Sequence, residues 1–269
     1  MALRSALVNV MAQAAKKAAR GLLRDFGEVE QLQVSRKGPA DFVTNADIKA
    51  EKILRQELSK ARPSWGLLME ETGEIKGKDE QHRWVVDPLD GTLNFLHGIP
   101  HFAITIAAET EGEPAAGIVY DPVRDELFWA VKGQGAYVNE RRIRVSGRER
   151  LHEAVLATCL PRPGDAERQQ RAQAEVAAVM PEVAEIRRFG SASLDLAYTA
   201  AGRFDGYWEW NLKRWDISAG VLIMREAGGI VSDLDGGASV LKTGHVLAAN
   251  DKLHAPLKKL LADARRQTG

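Results

Sequence analysis

The chain has 269 residues, of which 45% are hydrophobic, and its 37 Lys and Arg residues balance 37 Asp and Glu residues. This neutral balance argues against direct nucleic-acid binding, which usually needs an excess of basic residues. No apolar run approaches the roughly 20 residues that span a bilayer, so no membrane location is expected. The single cysteine, Cys159, excludes an intrachain disulfide and fits a reducing, cytoplasmic environment.

The first predicted element is an amphipathic helix within residues 1–24. Its apolar residues recur at helical spacing; they are Leu3, Leu7, Met11, Ala14, Ala18 and Leu22. The same stretch is basic, with no acidic residue before Asp25, which is also compatible with an organellar transit peptide. The spacing favours the helix.

A second helix is predicted after Pro39. Thr44 and Asp47 form a capping-box pattern at its start, and Pro63 marks its end. The apolar face between them consists of Ile53, Leu54, Leu58 and Ala61. Residues 73–83 are polar and contain glycine, so they are predicted as a mobile loop.

The pattern of predicted strands and helices changes near residue 150. Closely spaced strand candidates come first and predict an antiparallel sheet; they are 84–86, 102–108, 117–120, 126–131 and a hairpin within 136–145. Strands and helices then alternate, which is an α/β pattern. The later strands are predicted at 154–158, 185–189, 204–210, 229–232 and 246–249, and the helices at 165–180, 191–201, 216–227 and 251–265. We therefore predict two halves, residues 1–150 and 151–269, within one compact unit.

A short apolar strand leads directly into Asp87-Pro88-Leu89-Asp90-Gly91-Thr92. Pro88 fixes the backbone between two carboxylates and offers no N–H group. Gly91 permits a tight turn or a close approach of the main chain to a ligand. Thr92 can begin a helix, whose first N–H groups suit a phosphate. Taken alone, Asp-Pro and Asp-Gly are also common turn dipeptides.

Two further acidic segments point to a metal site. Glu70 and Glu71 follow a strand-like run, and Asp216 stands at the start of an apolar helix, where it also suits an N-cap. Two like charges about 4 Å apart repel by roughly 4 kcal/mol at an effective dielectric near 20, so convergent carboxylates need cations. Oxygen ligands favour Mg²⁺, Mn²⁺ or Ca²⁺ over zinc.

These three motifs together resemble the signature of the inositol monophosphatase family, a lithium-sensitive and magnesium-dependent phosphatase superfamily. Residues 187–198 and 206–209 are similar to its bacterial SuhB-like branch, and the resemblance covers nearly the whole chain. It implies a sugar-phosphatase fold, an α+β sandwich of alternating helix and sheet layers. It also implies a homodimer that hydrolyses inositol 1-phosphate.

The resemblance further implies a set of metal ligands. Glu70, Asp87 and the carbonyl of Leu89 would bind one Mg²⁺. Asp87, Asp90 and Asp216 would bind a second ion. Glu70 and water would bind a third ion more weakly, so two or three Mg²⁺ are expected in each site.

Catalytic and substrate-binding roles are implied in the same way. Thr92 and Glu70 would position the attacking water, and Asp47 would support Thr92. Backbone N–H groups at Gly91 and Thr92 would receive the phosphate. The remaining residues implied to contact the substrate are Leu89, Asp90, Arg187, Gly190, Ser191, Ala192, Glu209 and Asp216.

Two positions depart from the family pattern, with Met69 in place of Gly and Leu93 in place of Thr. Neither is an implied ligand, so the chemistry is expected to be retained. The substrate stays open among inositol phosphate, histidinol phosphate, fructose bisphosphate and a nucleotide phosphate. Glu209 suits a hydroxyl or an amine and argues against a second phosphate beside it. A SuhB-like role with the transcription machinery is a further alternative.

Overall fold

The computed structural model describes residues 5–28, 34–38, 41–161, 164–237 and 240–266, with the backbone alone for 34–38 and 41–43. The predictions at Leu3 and Pro39 lie outside these residues. The helices are α1 Ala6–Phe26, α2 Asn45–Ala61, α3 Thr92–Leu96, α4 Ala166–Val179, α5 Ala192–Ala200, α6 Arg214–Glu226, α7 Val240–Thr243 and α8 His254–Arg266.

The strands of the first half follow one another closely along the chain. They are β1 Val34–Gly38, β2 Asp41–Thr44, β3 Trp65–Met69, β4 Gly73–Ile75, β5 Asp79–Asp90, β6 Ala103–Thr110, β7 Glu113–Asp121, β8 Glu126–Val131, β9 Gly135–Val138 and β10 Arg141–Ile143. Those of the second half are β11 Val155–Thr158, β12 Glu185–Arg187, β13 Gly206–Glu209, β14 Ile230–Ser232 and β15 Val246–Ala249.

Helices and sheets alternate in five layers. Helices α1 and α2 pack on one face of an eight-stranded sheet formed by β3–β10. Helices α5 and α6 lie between that sheet and a five-stranded sheet formed by β11–β15, and α4 and α8 cover its far face. The predicted sandwich of alternating layers is confirmed.

Strand β6 shows why the central strands of the eight-stranded sheet are mostly apolar. Successive side chains of a strand point to opposite faces. Ile104 and Ile106 enter the core under α1 and α2, whereas Ala103 and Ala107 enter the core shared with α5 and α6. Because helices cover both faces, β6 is mostly apolar on both of them, and its polar residues Thr105 and Glu109 are buried.

The eight-stranded sheet has the order β10-β9-β8-β7-β6-β5-β3-β4 and is antiparallel at every described pairing except that of β3 with β5. The loop predicted over residues 73–83 is wrong in most of its length, since β4 occupies Gly73–Ile75 and β5 begins at Asp79. The error has a physical cause. Strand β4 is an edge strand and the start of β5 is partly exposed, so both accept the polar residues that read as a loop.

The five-stranded sheet is mixed, with the order β12-β11-β13-β15-β14. Its parallel pairings join β11 to β12 and β13, and its antiparallel pairings join β15 to β13 and β14. The predicted boundary near residue 150 falls between the two sheets, and the division into halves stays a prediction. Within the described residues, no helix is long and apolar enough to cross a membrane.

Candidate active site and metal-binding residues

The parallel pairing of β3 with β5 brings Glu70 beside Asp87. The register places Met69 opposite Val86, so the next residue of each strand is acidic. The N–H of Glu70 donates to the Val86 carbonyl at 3.3 Å. Parallel strands end at the same edge of a sheet, and this edge therefore carries both carboxylates.

The backbone after Asp87 is folded tightly by local hydrogen bonds. Oδ1 of Asp87, a residue only 2% exposed, accepts the Leu89 N–H at 2.8 Å, which spans Pro88. Gly91 has φ 94°, and a Cβ there would lie 3.0 Å from the His101 carbonyl oxygen. A side chain would be strained on both counts. This turn allows α3 to begin at Thr92, as predicted.

Asp47 has one carboxylate oxygen in a helix cap and the other near Thr92. Oδ2 accepts the Thr44 N–H at 2.9 Å, which completes the predicted capping box of α2. Oδ1 lies 3.4 Å from the Thr92 hydroxyl, which also donates to the Leu89 carbonyl at 3.0 Å. The structural and the catalytic interpretation of Asp47 are therefore geometrically compatible.

The start of α5 surrounds the carboxylate of Asp90 with donors. Its Oδ2 accepts the Ser191 hydroxyl at 2.7 Å, the Ser193 N–H at 2.8 Å and the Ser193 hydroxyl at 2.5 Å. A helix N-terminus favours a negative charge. These contacts bring Ser191 and Ala192, the first residue of α5, to the acidic edge of the eight-stranded sheet.

Asp216 lies in the first turn of α6, and the interpretation of this residue as the N-cap is wrong. The helix begins at Arg214 with Lys213 as its N-cap residue. Oδ2 of Asp216 accepts the Lys213 N–H at 2.7 Å, which is the reciprocal half of a capping box. An acid at the third helical position satisfies a free N–H group as an N-cap does, and the sequence does not separate the two.

The acidic groups lie close enough to raise one another's pKa. Burial raises the pKa of Asp87 well above its ordinary range, and the carboxylates of Glu70, Asp90 and Asp216 raise it further. Burial and then Asp90 raise the pKa of Asp216 strongly. Burial also raises the pKa of Asp90, although the donors of Ser193 and Ser191 oppose that rise. A bound cation would relieve this repulsion.

The donor set suits a hard divalent ion in type and charge. Among the described residues, no three His, Cys, Asp or Glu side chains already form a group that could hold a metal ion. Oδ2 of Asp90 and Oδ2 of Asp216 accept protein hydrogen bonds. The group nevertheless offers only oxygen ligands and an excess of negative charge, which is what Mg²⁺ requires. The residues that would hold it are Glu70, Asp87, Leu89, Asp90 and Asp216.

Glu209 faces the acidic cluster from the five-stranded sheet. Oε2 of Glu209 accepts the Tyr207 hydroxyl at 2.5 Å. Its charge also contributes to the raised pKa values of Asp195 and Asp216, which places it near both. The role of Glu209 beside the substrate stays a prediction.

Gly190 is held against α3, whereas Arg187 points to a different partner. The Asn94 side-chain amide donates to the His101 carbonyl at 2.8 Å and to the Phe189 carbonyl at 2.7 Å. Arg187 is exposed and forms an ion pair with Glu185 at 3.2 Å. Its described contacts do not join it to the acidic cluster, so its substrate role stays a prediction.

The sequence profile of the inositol monophosphatase family matches residues 4–268. The chain belongs to the inositol monophosphatase family. It is 56% identical to the "Inositol-1-monophosphatase" of Mesorhizobium japonicum over 256 residues, 95% of this chain and 96% of the relative. It is 43% identical to "Nus factor SuhB" of Pasteurella multocida over 251 residues, 92% of each chain.

Solved structures agree with this assignment. The extragenic suppressor protein suhB of Bartonella henselae superposes with a TM-score of 0.93 at 55% identity, covering 96% of this chain and 98% of that one. The predicted family, the layered fold and the class of enzyme, a phosphatase, are thereby confirmed.

The two departures from the family pattern leave the acidic groups in place. Met69 is fully buried in the core beneath α1 and α2. Leu93 is 44% exposed, on the second position of α3. Both replacements therefore alter packing or surface next to the site and remove no oxygen ligand.

Several polar residues that contact the acidic segments of the site were not predicted from the sequence. Ser193 binds Asp90, and Glu51 accepts the Glu71 N–H at 2.8 Å and the Thr72 hydroxyl. Glu51 is 3% exposed and lies one helical turn after Asp47. Two acids at this spacing on the inward face of α2 are a signal that the sequence contained.

Asp195 is a fully buried acid that the sequence did not single out. Its carboxylate oxygens have no hydrogen-bond partner among the described residues. Burial raises its pKa well above the ordinary value, followed by the charges of Glu209 and Asp90. In the sequence it resembles an ordinary acid in the first turn of a helix, so its burial was not predictable from local pattern.

Proposed function

We propose that this protein hydrolyses inositol 1-phosphate to myo-inositol and phosphate, with Mg²⁺ as its metal. The observation that carries the proposal is the convergence of acidic residues beside α3: the pairing of β3 with β5 brings Glu70 next to Asp87, and Asp90 and Asp216 lie near enough to act on the charge of Asp87. The 56% identical relative named inositol-1-monophosphatase supports this substrate. Bound Mg²⁺ would lower the pKa of a water molecule and neutralise developing charge.

The chain's own groups would position the phosphate and the water. The first N–H groups of α3, at Gly91 and Thr92, form a site for an anion. The single proton of the Thr92 hydroxyl faces the Leu89 carbonyl at 3.0 Å and Oδ1 of Asp47 at 3.4 Å, so its lone pairs can accept a hydrogen bond from the attacking water. Glu70, directly after β3, would accept the other proton of that water as general base. The water oxygen would bond to phosphorus while the ester P–O bond breaks, and the leaving alkoxide would take up a proton to give the free alcohol. Asp47 would keep the Thr92 hydroxyl in place.

The alcohol of the substrate would lie between the two sheets. Glu209 would accept hydrogen bonds from its hydroxyl groups, and the segment from Gly190 to Ala192 would form the adjacent wall. A second phosphate beside Glu209 would be repelled. Hydrolysis of histidinol phosphate remains the nearest alternative, because a carboxylate also accepts an amine.

Ion number, assembly and location are part of the proposal. Two or three Mg²⁺ per site would balance the carboxylates and the substrate phosphate. We also propose a cytoplasmic homodimer, for which light scattering should give twice the chain mass of 29.5 kDa. A mass of one chain would contradict the dimer without affecting the chemistry.

Phosphate release by the purified protein tests the proposed reaction. We expect hydrolysis of inositol 1-phosphate with Mg²⁺, its loss in excess EDTA, and inhibition by lithium. A panel that includes histidinol phosphate, fructose bisphosphate and a nucleotide phosphate should give the highest kcat/KM for inositol 1-phosphate. Full turnover in EDTA would contradict the metal, and a higher kcat/KM elsewhere in the panel would change the substrate.

A role in transcription is a second candidate, supported by the relative named Nus factor SuhB. Capture of RNA polymerase from a bacterial lysate by the tagged protein would support it. The Asp87→Asn variant separates the two functions, because it should lose hydrolysis and keep any protein contact that does not use the metal.

A further inference from the structure

Glu109, near the end of β6, is a fully buried carboxylate with different partners at its two oxygens. Oε1 accepts Nε–H of Arg214 at 2.8 Å and the Ser218 hydroxyl at 3.0 Å. Oε2 accepts Nε–H of Arg83 at 2.8 Å. The residue is 0% exposed, so these contacts lie out of water. A buried charge is tolerated when it is paired and hydrogen-bonded in this way.

The partners of Oε1 flank Asp216 in α6. Arg214 lies two residues before Asp216 and Ser218 two residues after it. Arg214 also donates to the Gly112 carbonyl, in the turn between β6 and β7, and to the Leu241 carbonyl at 3.3 Å. The first turn of α6 is therefore fixed to the eight-stranded sheet at the residues on both sides of Asp216.

This attachment connects the two parts of the fold that carry the proposed metal ligands. Glu70, Asp87 and Asp90 follow or end strands of the eight-stranded sheet, whereas Asp216 is carried by α6. A metal site keeps its affinity only if its ligands keep their separation, and groups behind the ligands commonly set that separation.

We propose that Glu109 is a positioning residue, which sets the place of Asp216 relative to Asp87 and Asp90 and thereby the affinity of the site for divalent cations. The inference rests on the proposed function, because it takes these acids as metal ligands. Glu109 itself contacts neither metal nor substrate in this proposal.

Arg83 provides the matched control. It forms an ion pair with the same carboxylate at the same 2.8 Å, but from β5 and through Oε2. Loss of Arg83 weakens the pairing of a buried charge without removing either contact to α6. A role in folding alone predicts that Mn²⁺ affinity changes only as far as the melting temperature does in both Arg83→Gln and Arg214→Gln. A positioning role predicts that Arg214→Gln loses Mn²⁺ affinity and Arg83→Gln keeps it.

The test compares Glu109→Gln, Arg214→Gln, Ser218→Ala and Arg83→Gln in the full chain. Mn²⁺ binding by electron paramagnetic resonance and the Mg²⁺-induced rise in melting temperature are measured besides the Mg²⁺ dependence of turnover. Glu109→Gln and Arg214→Gln should weaken Mn²⁺ binding by about 10-fold or more, the usual effect of losing a group behind a metal ligand. Ser218→Ala should weaken it less, and Arg83→Gln should lower the melting temperature but leave Mn²⁺ affinity near that of the wild type.

Other outcomes would contradict the positioning role of Glu109 or the proposed function. Equal losses of Mn²⁺ affinity in Arg83→Gln and Arg214→Gln would assign Glu109 to folding alone, and unchanged affinity in all variants would do the same. If Glu109→Gln does not fold, Ser218→Ala and Arg214→Lys answer the question. A wild type that binds Mn²⁺ but releases no phosphate refutes the proposed function only, whereas a wild type that binds no Mn²⁺ refutes both.

Discussion

Glu209 is a single residue that we expect to bind the hydroxyl groups of the substrate without taking part in phosphate hydrolysis. It lies near the acidic cluster but on β13, and its described partner is the Tyr207 hydroxyl. A charged acceptor contributes roughly 1.5–3 kcal/mol to a hydrogen bond. Glu209→Ala should therefore reduce kcat/KM for inositol 1-phosphate by about 10- to 100-fold. Hydrolysis of an aryl phosphate without hydroxyl groups should change little.

Tyr207→Phe is the control for this prediction. It removes the 2.5 Å hydrogen bond to Glu209 but keeps the carboxylate, so the loss on inositol 1-phosphate should be smaller. Equal losses on both substrates in Glu209→Ala would mean that Glu209 supports the metal site or the fold. No loss on either substrate would make it a surface acid.

The turn between α3 and β6 contains a histidine, His101, that is buried without a hydrogen-bond partner among the described residues. His101 is 3% exposed, and neither ring nitrogen has a partner in the part of the chain that the structure describes. Its ring lies 4.9 Å from that of Phe189 and 5.8 Å from that of Tyr198. Burial, and then Arg124, lower the pKa of His101 from 6.5 to about 4.

This histidine predicts a loss of stability in mild acid. The unfolded chain binds the proton more tightly than the folded protein does. The free energy of unfolding should therefore be unaffected by His101 above pH 6.5 and should fall as the pH drops towards about 4. The full loss is about 3 kcal/mol at 1.36 kcal/mol per pKa unit. Urea unfolding at pH 7 and at pH 4.5 should show a smaller difference for His101→Phe than for the wild type.

His97→Gln is the matched control, because His97 lies in the same turn with an exposed side chain. It should keep the pH dependence of the wild type. A His101→Phe protein with an unchanged dependence would show that another group causes the acid loss, and His254, whose pKa burial also lowers, would be examined next.

At the scale of the whole molecule, carboxylates from two sheets meet at one site and repel across it. Asp87→Asn removes one of these charges, and its amide oxygen can still accept the Leu89 N–H. In EDTA the variant should be more stable, with a melting temperature higher by about 2–4 °C for each kcal/mol gained in a chain of roughly this size. It should lose the melting-temperature rise that Mg²⁺ gives the wild type.

The stability of the metal-free protein should also depend on pH. The pKa of Asp87 is raised in the folded protein, so the stability of the metal-free protein should fall as the pH rises from about 4 through that raised pKa. Asp87→Asn should reduce this fall, and Asp251→Asn, at an aspartate that is 69% exposed, should not. A lower melting temperature of Asp87→Asn in EDTA would contradict the proposed repulsion.

The sequence predicted the features that depend on local pattern. Helical spacing of apolar residues and the capping box predicted α1 and α2, and the close spacing of strand candidates predicted β8. The acidic motifs predicted that Asp87, Asp90 and Asp216 lie together. The sequence did not predict that Ser193 binds Asp90 or that Glu109 binds Arg214. These contacts join residues about 100 positions apart, and no local preference of either partner indicates them. The edge strand β4 was missed because its exposed polar residues are also typical of loops.

The parallel pairing of β3 with β5 determines which insertions and deletions the chain can accept. The connection between the two strands contains β4, and the pairing already shifts register between Trp65 and Gly66. A change of length between β4 and β5, at residues 76–78, should therefore leave Glu70 beside Asp87. Deletion of one residue from 66–69 would turn the side chain of Glu70 to the opposite face of the sheet. Evolution can thus lengthen or shorten the connection, while the strand before Glu70 has a fixed length.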